Sequence, residues 1–164
     1  MEEHQEEKKT YWHLIALFIV SVLMGLALSG YETLFSFMRY WLGSFLCLLS
    51  LVKLFNIKGF MLAYTEYDLL AKRVSYYGYL YPFIELALGL GFYYGQLLFL
   101  VCLLTFVFMT FGALGVFQAM REKKDITCAC MGSVLKVPLT HVSLVEDLLM
   151  AAMSLIMAFM VLGQ

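Results

Sequence analysis

Charge is scarce in this sequence: Asp, Glu, Lys and Arg make up 14% of its 164 residues, while 63% are hydrophobic. A soluble domain carries about a quarter charged residues, so this chain has too little polar surface to fold in water. The 11 basic and 12 acidic residues nearly cancel, to a formal charge of -1. That balance leaves no basic stripe of the kind that neutralises phosphates, and nucleic acid is excluded as a partner. Proline is almost absent, with two residues, so long helices can run with little interruption. Four cysteines are too few and too scattered for a disulfide-stapled scaffold. Also missing are a phosphate loop, a dinucleotide fingerprint, a nucleophilic triad and an HExxH pair, which removes hydrolase, kinase and dehydrogenase readings.

What is present is a succession of long apolar stretches. Roughly twenty apolar residues cross a hydrocarbon core of about 30 Å as a helix. The pattern predicts spans at about Tyr11–Ser29, Phe35–Phe55, Tyr79–Tyr94, Leu97–Phe117 and Leu144–Leu162. The fold class expected is therefore an all-α integral membrane protein, a bundle of about five transmembrane helices. Residues 1–10 read as a retained polar tail, because the apolar run behind them is too long for a signal peptide and lacks a small-residue cleavage pattern. Between Asn56 and Gly78, charges alternate with apolar pairs at helical spacing, which suggests an amphipathic segment lying at the interface. Pro82 falls in the first turn of the third span, where its missing N–H costs little. Ser143 followed by Glu146 reads as a capping box opening the last helix.

The basic residues also orient the chain. With the N-terminus inside, Lys8, Lys9, Lys53, Lys58, Lys72, Arg73, Arg121, Lys123, Lys124 and Lys136 face the cytoplasm, and only Arg39 lies outside. The expectation is a multi-pass protein of the inner (cytoplasmic) membrane with a cytoplasmic N-terminus and an outer C-terminus. Residues 118–142, a loop between the last two spans, then face the cytoplasm.

That loop holds the sharpest chemical feature, Thr127-Cys128-Ala129-Cys130-Met131-Gly132-Ser133. Two thiols separated by one residue can interconvert between dithiol and strained disulfide, or hold a soft ion such as Cu(I) with Met131 as a thioether ligand. Lys123, Lys124 and Lys136 are near enough in sequence to favour a thiolate. A structural zinc site fits less well, since it needs four ligands and His141 is the nearest addition. Cys47 and Cys102 lie within spans and reach the pair only if the loop dips between helices. Met150, Met153, Met157 and Met160 form a helical stripe better read as core than as a metal ladder.

Glu85 is the other residue of note, because an acid in the middle of an apolar span is costly and faces the bundle interior. Tyr81 and Gly89 lie one turn to either side, so one helix face offers a hydroxyl, a carboxyl and a point of close approach. The roles open to Glu85 are proton relay, cation contact, or a buried bond that fixes helix packing. Tyr76, Tyr77, Tyr79, Tyr81, Tyr93 and Tyr94 bracket this span as an interfacial belt does. A quinone there is not excluded.

Three stretches carry a family resemblance: Arg39-Tyr40-Trp41-Leu42-Gly43, Tyr81-Pro82-Phe83-Ile84-Glu85-Leu86-Ala87-Leu88-Gly89-Leu90, and Cys128-Ala129-Cys130-Met131-Gly132-Ser133. From Arg39 to the C-terminus the chain resembles the MauE/DoxX group of redox-associated membrane proteins. The resemblance implies a four-helix module over residues 35–164, with the Pro-x-x-Glu-Leu-x-x-Gly helix at its centre and one extra helix, 11–29, before it. Cys128, Cys130, Gly132 and Glu85 match the family pattern, while Met131 replaces the usual Phe of Cys-x-Cys-Phe-Gly. It implies thiol–disulfide chemistry, with a thioredoxin-like or periplasmic redox protein as partner. Maturation of the disulfide-rich small subunit of methylamine dehydrogenase and, in some relatives, heavy-metal handling belong to the same expectation. The alternatives are a Cu(I) or heavy-metal carrier using the same cysteines, and a membrane scaffold in which they do nothing.

Overall fold

The computed structural model describes residues 2–30, 33–58, 60–61, 75–121 and 141–163. Every regular element among the described residues is helical: α1 Glu2–Ser29, α2 Leu34–Phe55, α3 Ser75–Tyr94, α4 Leu98–Arg121 and α5 His141–Leu162. Helices are the expected answer in lipid, where each must satisfy its own backbone groups. Three clear both the length and the hydropathy needed to cross a membrane: Leu34–Phe55, Leu98–Gln118 and Leu144–Leu162. In α1 the apolar part is the shorter stretch Ile15–Ser29. Tyrosines and glycines dilute the hydropathy of α3, but its 20 residues still span about 30 Å. The protein is an all-α membrane protein.

Helix α2 is the hub, packing against α1, α3 and α5, while α4 pairs mainly with α5 and less extensively with α3. Its start is capped by Thr33, whose Oγ1 accepts from the backbone N–H of Ser36 at 3.1 Å. On one side, Trp41 seats α1: its Nε1 donates to Ser21 Oγ at 3.0 Å, and its ring meets Phe18 edge-on. On the other, α2 and α3 come together backbone to backbone. A Cβ on Gly89 would lie 2.7 Å from Cys47 Sγ and 3.0 Å from the Gly43 carbonyl, so only glycine permits this crossing. The hairpin continues to Arg39, whose Nε and Nη2 donate to the carbonyls of Phe92 and Tyr93 at 2.6 and 2.8 Å. Those are end-of-helix carbonyls with no intrahelical donor. Gly95, at φ +71°, turns the chain out of α3 in the left-handed conformation that closes helices.

Two local expectations are corrected. Helix α3 begins at Ser75, so Pro82 lies two turns inside it and not in its first turn. The Gly78 carbonyl thereby loses its helical donor. Helix α5 begins at His141, so Ser143 lies inside the helix and not at its N-cap. Extending the helix upstream moves Glu146 and Asp147 into its second turn, where the Asp147 carboxylate lies against Gly112 of α4. In the methionine stripe of α5, Met150 and Met157 are fully buried and Met153 packs on the core, whereas Met160 is exposed.

Candidate functional site

The buried charges of the bundle lie between α2 and α3, with polar groups of α4 and α5 close by. At their centre Lys53 Nζ lies 2.8 and 2.7 Å from the two carboxylate oxygens of Glu85. Both side chains are almost wholly enclosed, at 5% and 1% exposure. Hairpin register explains how residues so far apart along the helices meet. With Arg39 beside Phe92 and Gly43 beside Gly89, Cys47 is level with Glu85. Lys53 is level with Tyr79, about six residues or roughly 9 Å of helix rise away. Side chains on a helix tilt toward its N-terminus. In an antiparallel pair that tilt carries Lys53 deeper into the bundle and Glu85 outward to meet it.

Two aromatic rings complete the surroundings of the ammonium group. Lys53 Nζ stands 4.8 Å from the centroid of Tyr81 and 5.6 Å from that of Phe60. Such cation–π contacts contribute about 2 kcal/mol where water is excluded. The Tyr81 ring is itself held by stacking on Phe108 of α4, with centroids 4.5 Å apart. Its hydroxyl and the Asp147 carboxylate converge on Gly112, where a Cβ would lie 3.6 Å from the one and 3.2 Å from the other. A glycine in α4 thus leaves room for two polar groups from α3 and α5.

The structure brings Glu85 and Tyr81 together in one cluster and places Gly89 one turn further on, against Cys47 Sγ. Cys47 is half-buried, Cys102 is fully buried, and both are free thiols. Cys128, Cys130, Met131 and Gly132 lie outside the described residues, as does the segment 62–74. Among the described residues no group of three or more His, Cys, Asp or Glu side chains could hold a metal ion. A groove of about 250 Å³ also lies between α1, α2 and α5, floored by Trp41 and Phe45. It is apolar apart from Glu146 and stands apart from the charged cluster.

Lys53 is the residue that sequence reasoning missed. It entered only as one more basic residue at the cytoplasmic end of a span, yet it is buried against Glu85. The signal was available: an intramembrane acid calls for a partner, and Lys53 is the one base within reach on the preceding helix. Asp147 was not singled out either, and it serves a contact with Gly112 of α4.

Comparison with curated proteins and with solved structures gives no match. The sequence model of the methylamine utilisation protein MauE matches residues 31–160, which takes in the second to fifth helices, Lys53, Glu85 and both cysteines of the CxC segment. The chain belongs to the MauE family.

Proposed function

We propose that this protein is a redox component of the membrane, in which Cys128 and Cys130 pass reducing or oxidising equivalents to a partner protein. The reading rests on one coincidence of position. The segment holding both cysteines joins the end of α4 to the start of α5. Lys53 near the end of α2, Tyr81 near the start of α3 and Asp147 near the start of α5 gather at that same end of the bundle. Family membership supports it, since the chain matches a methylamine utilisation protein over 31–160.

The chemistry balances as thiol–disulfide exchange. A thiolate of the pair attacks a disulfide of the partner, forming a mixed disulfide and releasing one partner thiolate. The second cysteine then attacks the mixed bond, so the partner leaves as a dithiol with two electrons and the CxC pair becomes a disulfide. The reverse sequence oxidises the partner. A thioredoxin-like protein on the cytoplasmic side is the partner class for thiols that face the cytoplasm, whereas a periplasmic redox protein, and with it maturation of a disulfide-rich subunit of an amine dehydrogenase, requires the CxC segment to gain access through the bundle. All five helices cross the bilayer in this reading, with the N-terminus and the CxC segment cytoplasmic and the C-terminus outside.

The test is to replace both cysteines by serine, separately and together, and to trap thiol states by rapid alkylation in cells. A cycling pair in the wild type, a mixed disulfide that accumulates in the single variant that keeps the attacking thiol, and loss of partner maturation in all three are expected. Unchanged maturation in the double variant, with no oxidisable pair in the wild type, refutes it. An impermeant thiol reagent applied to sealed vesicles of either orientation reads the side. Met131 in place of Phe favours a second reading, a Cu(I) carrier. It requires stoichiometric Cu(I) binding in anaerobic titration that the double serine variant lacks.

A further inference from the structure

Two buried hydroxyls in the bundle have no hydrogen-bond partner: Ser50 Oγ and Thr105 Oγ1, each on a residue of 0% exposure. They are not scattered. Ser50 lies on α2 one turn before Lys53 and one turn after Cys47, on the stripe that faces α3. Thr105 lies on α4, and the contacts that set the α3–α4 register bracket it. Gly91 faces Val101 and Tyr81 stacks on Phe108, so Thr105 falls at the level of Glu85. Two orphan hydroxyls on two different helices thus flank a buried ion pair carried by α2 and α3. A dry hydroxyl is expensive, and a polar recess with several converging groups is where a protein holds internal water. Ser50, Thr105 and the carboxylate of Glu85 together supply the two to four partners such a water needs.

The cluster also has an approach. The Asp147 carboxylate and the Tyr81 hydroxyl both reach the space left by Gly112, and the Tyr81 ring carries the Lys53 ammonium. Groups able to accept and return a proton therefore succeed one another from the second turn of α5 to the centre of the hairpin. Around Glu85 stand Lys53 and Cys47 from α2, Tyr81 from its own helix, Thr105 from α4 and, through Tyr81, Asp147 from α5. We propose that Lys53 and Glu85 form a hydrated proton-exchange site inside the bundle, with internal water held by Ser50 and Thr105 and protons arriving from Asp147 through Tyr81. A purely structural ion pair needs neither the orphan hydroxyls nor the approach past Gly112. The site exchanges protons whether or not the CxC pair is redox-active, so the two readings stand or fall separately.

The test uses the full-length protein with 15N-labelled lysine in lipid nanodiscs. Magnetic resonance follows exchange of the Lys53 ammonium protons with deuterated solvent, with the signal assigned by its loss in Lys53→Met. Exchange within minutes is expected in the wild type. It should slow at least tenfold in Tyr81→Phe, which keeps the ring, and in Gly112→Ala, which fills the shared space. Asp147→Asn gives the same slowing without adding bulk. No exchange over a day in the wild type, or exchange that all three variants leave unchanged, overturns the proposal. A second measurement does not depend on assignment. If water satisfies the hydroxyls, the near-isosteric Thr105→Val lowers the unfolding temperature. A rise on Thr105→Val would mean a dry, orphaned hydroxyl, and would overturn it.

Discussion

Breaking the Lys53–Glu85 pair should behave very differently from removing it whole. At 2.7 Å and an effective dielectric of about 20, the attraction between the charges is roughly 6 kcal/mol. Taking an ammonium and a carboxylate out of water costs several kcal/mol per ion, which consumes most of that gain. The pair is therefore close to neutral against an apolar pair of similar volume, but an unpartnered survivor is not. Glu85→Leu strands a buried ammonium between two rings, and Lys53→Met strands a buried carboxylate; each is expected to destabilise by about 3–5 kcal/mol. The double variant Lys53→Met with Glu85→Leu should return to within about 1 kcal/mol of the wild type. The assay is reversible unfolding in mixed micelles by increasing denaturing detergent, followed by circular dichroism and arranged as a double-mutant cycle. A coupling of at least about 5 kcal/mol is expected. Single variants costing under about 1 kcal/mol, or costs that simply add in the double variant, would refute the assignment of a buried, tightly coupled pair.

Three further outcomes rest on the same geometry. Gly89→Ala must push on Cys47 Sγ and on the backbone carbonyl of Gly43, so a loss of about 1–3 kcal/mol is expected in the same unfolding assay. An unchanged midpoint would mean that α2 and α3 do not meet there. Arg39→Ala removes two charge-assisted bonds to the end of α3 and should cost about 2–3 kcal/mol. Gly95→Ala forces a Cβ into the Arg39 guanidinium as well as into a left-handed backbone; the two substitutions should therefore be strongly non-additive, and additivity would count against the cap. Trp41→Phe and Ser21→Ala each lose one end of the bond between α1 and α2, for about 1 kcal/mol. The double variant should cost little more than either single one, and a sum of the two would show that the residues act independently.

Some of this protein was legible in its sequence because it depends on local composition alone. The apolar runs dictate helices, since a backbone in lipid has to bond within itself, and the five helices form close to where hydropathy puts them. Glu85 stood out for a similar reason: an acid in such a run is conspicuous without knowledge of any neighbour. Helix starts were read less well, because Pro82 and Ser143 carry local preferences that longer helices override. The partner of Glu85 could not be read locally. Lys53 sits at the end of an apolar span, the place of an ordinary interfacial lysine, whose long stem normally carries its charge out to water. What turns it inward is a relation between two helices. Gly43 and Gly89 bring their backbones together in one register, and the N-terminal tilt of side chains in an antiparallel pair draws Lys53 and Glu85 toward each other. The chain's solvent and its helices were thus determined by the sequence itself. The site between them was decided only by tertiary structure, because buried charges are stabilised by what stands opposite them, and register determines which residues those are.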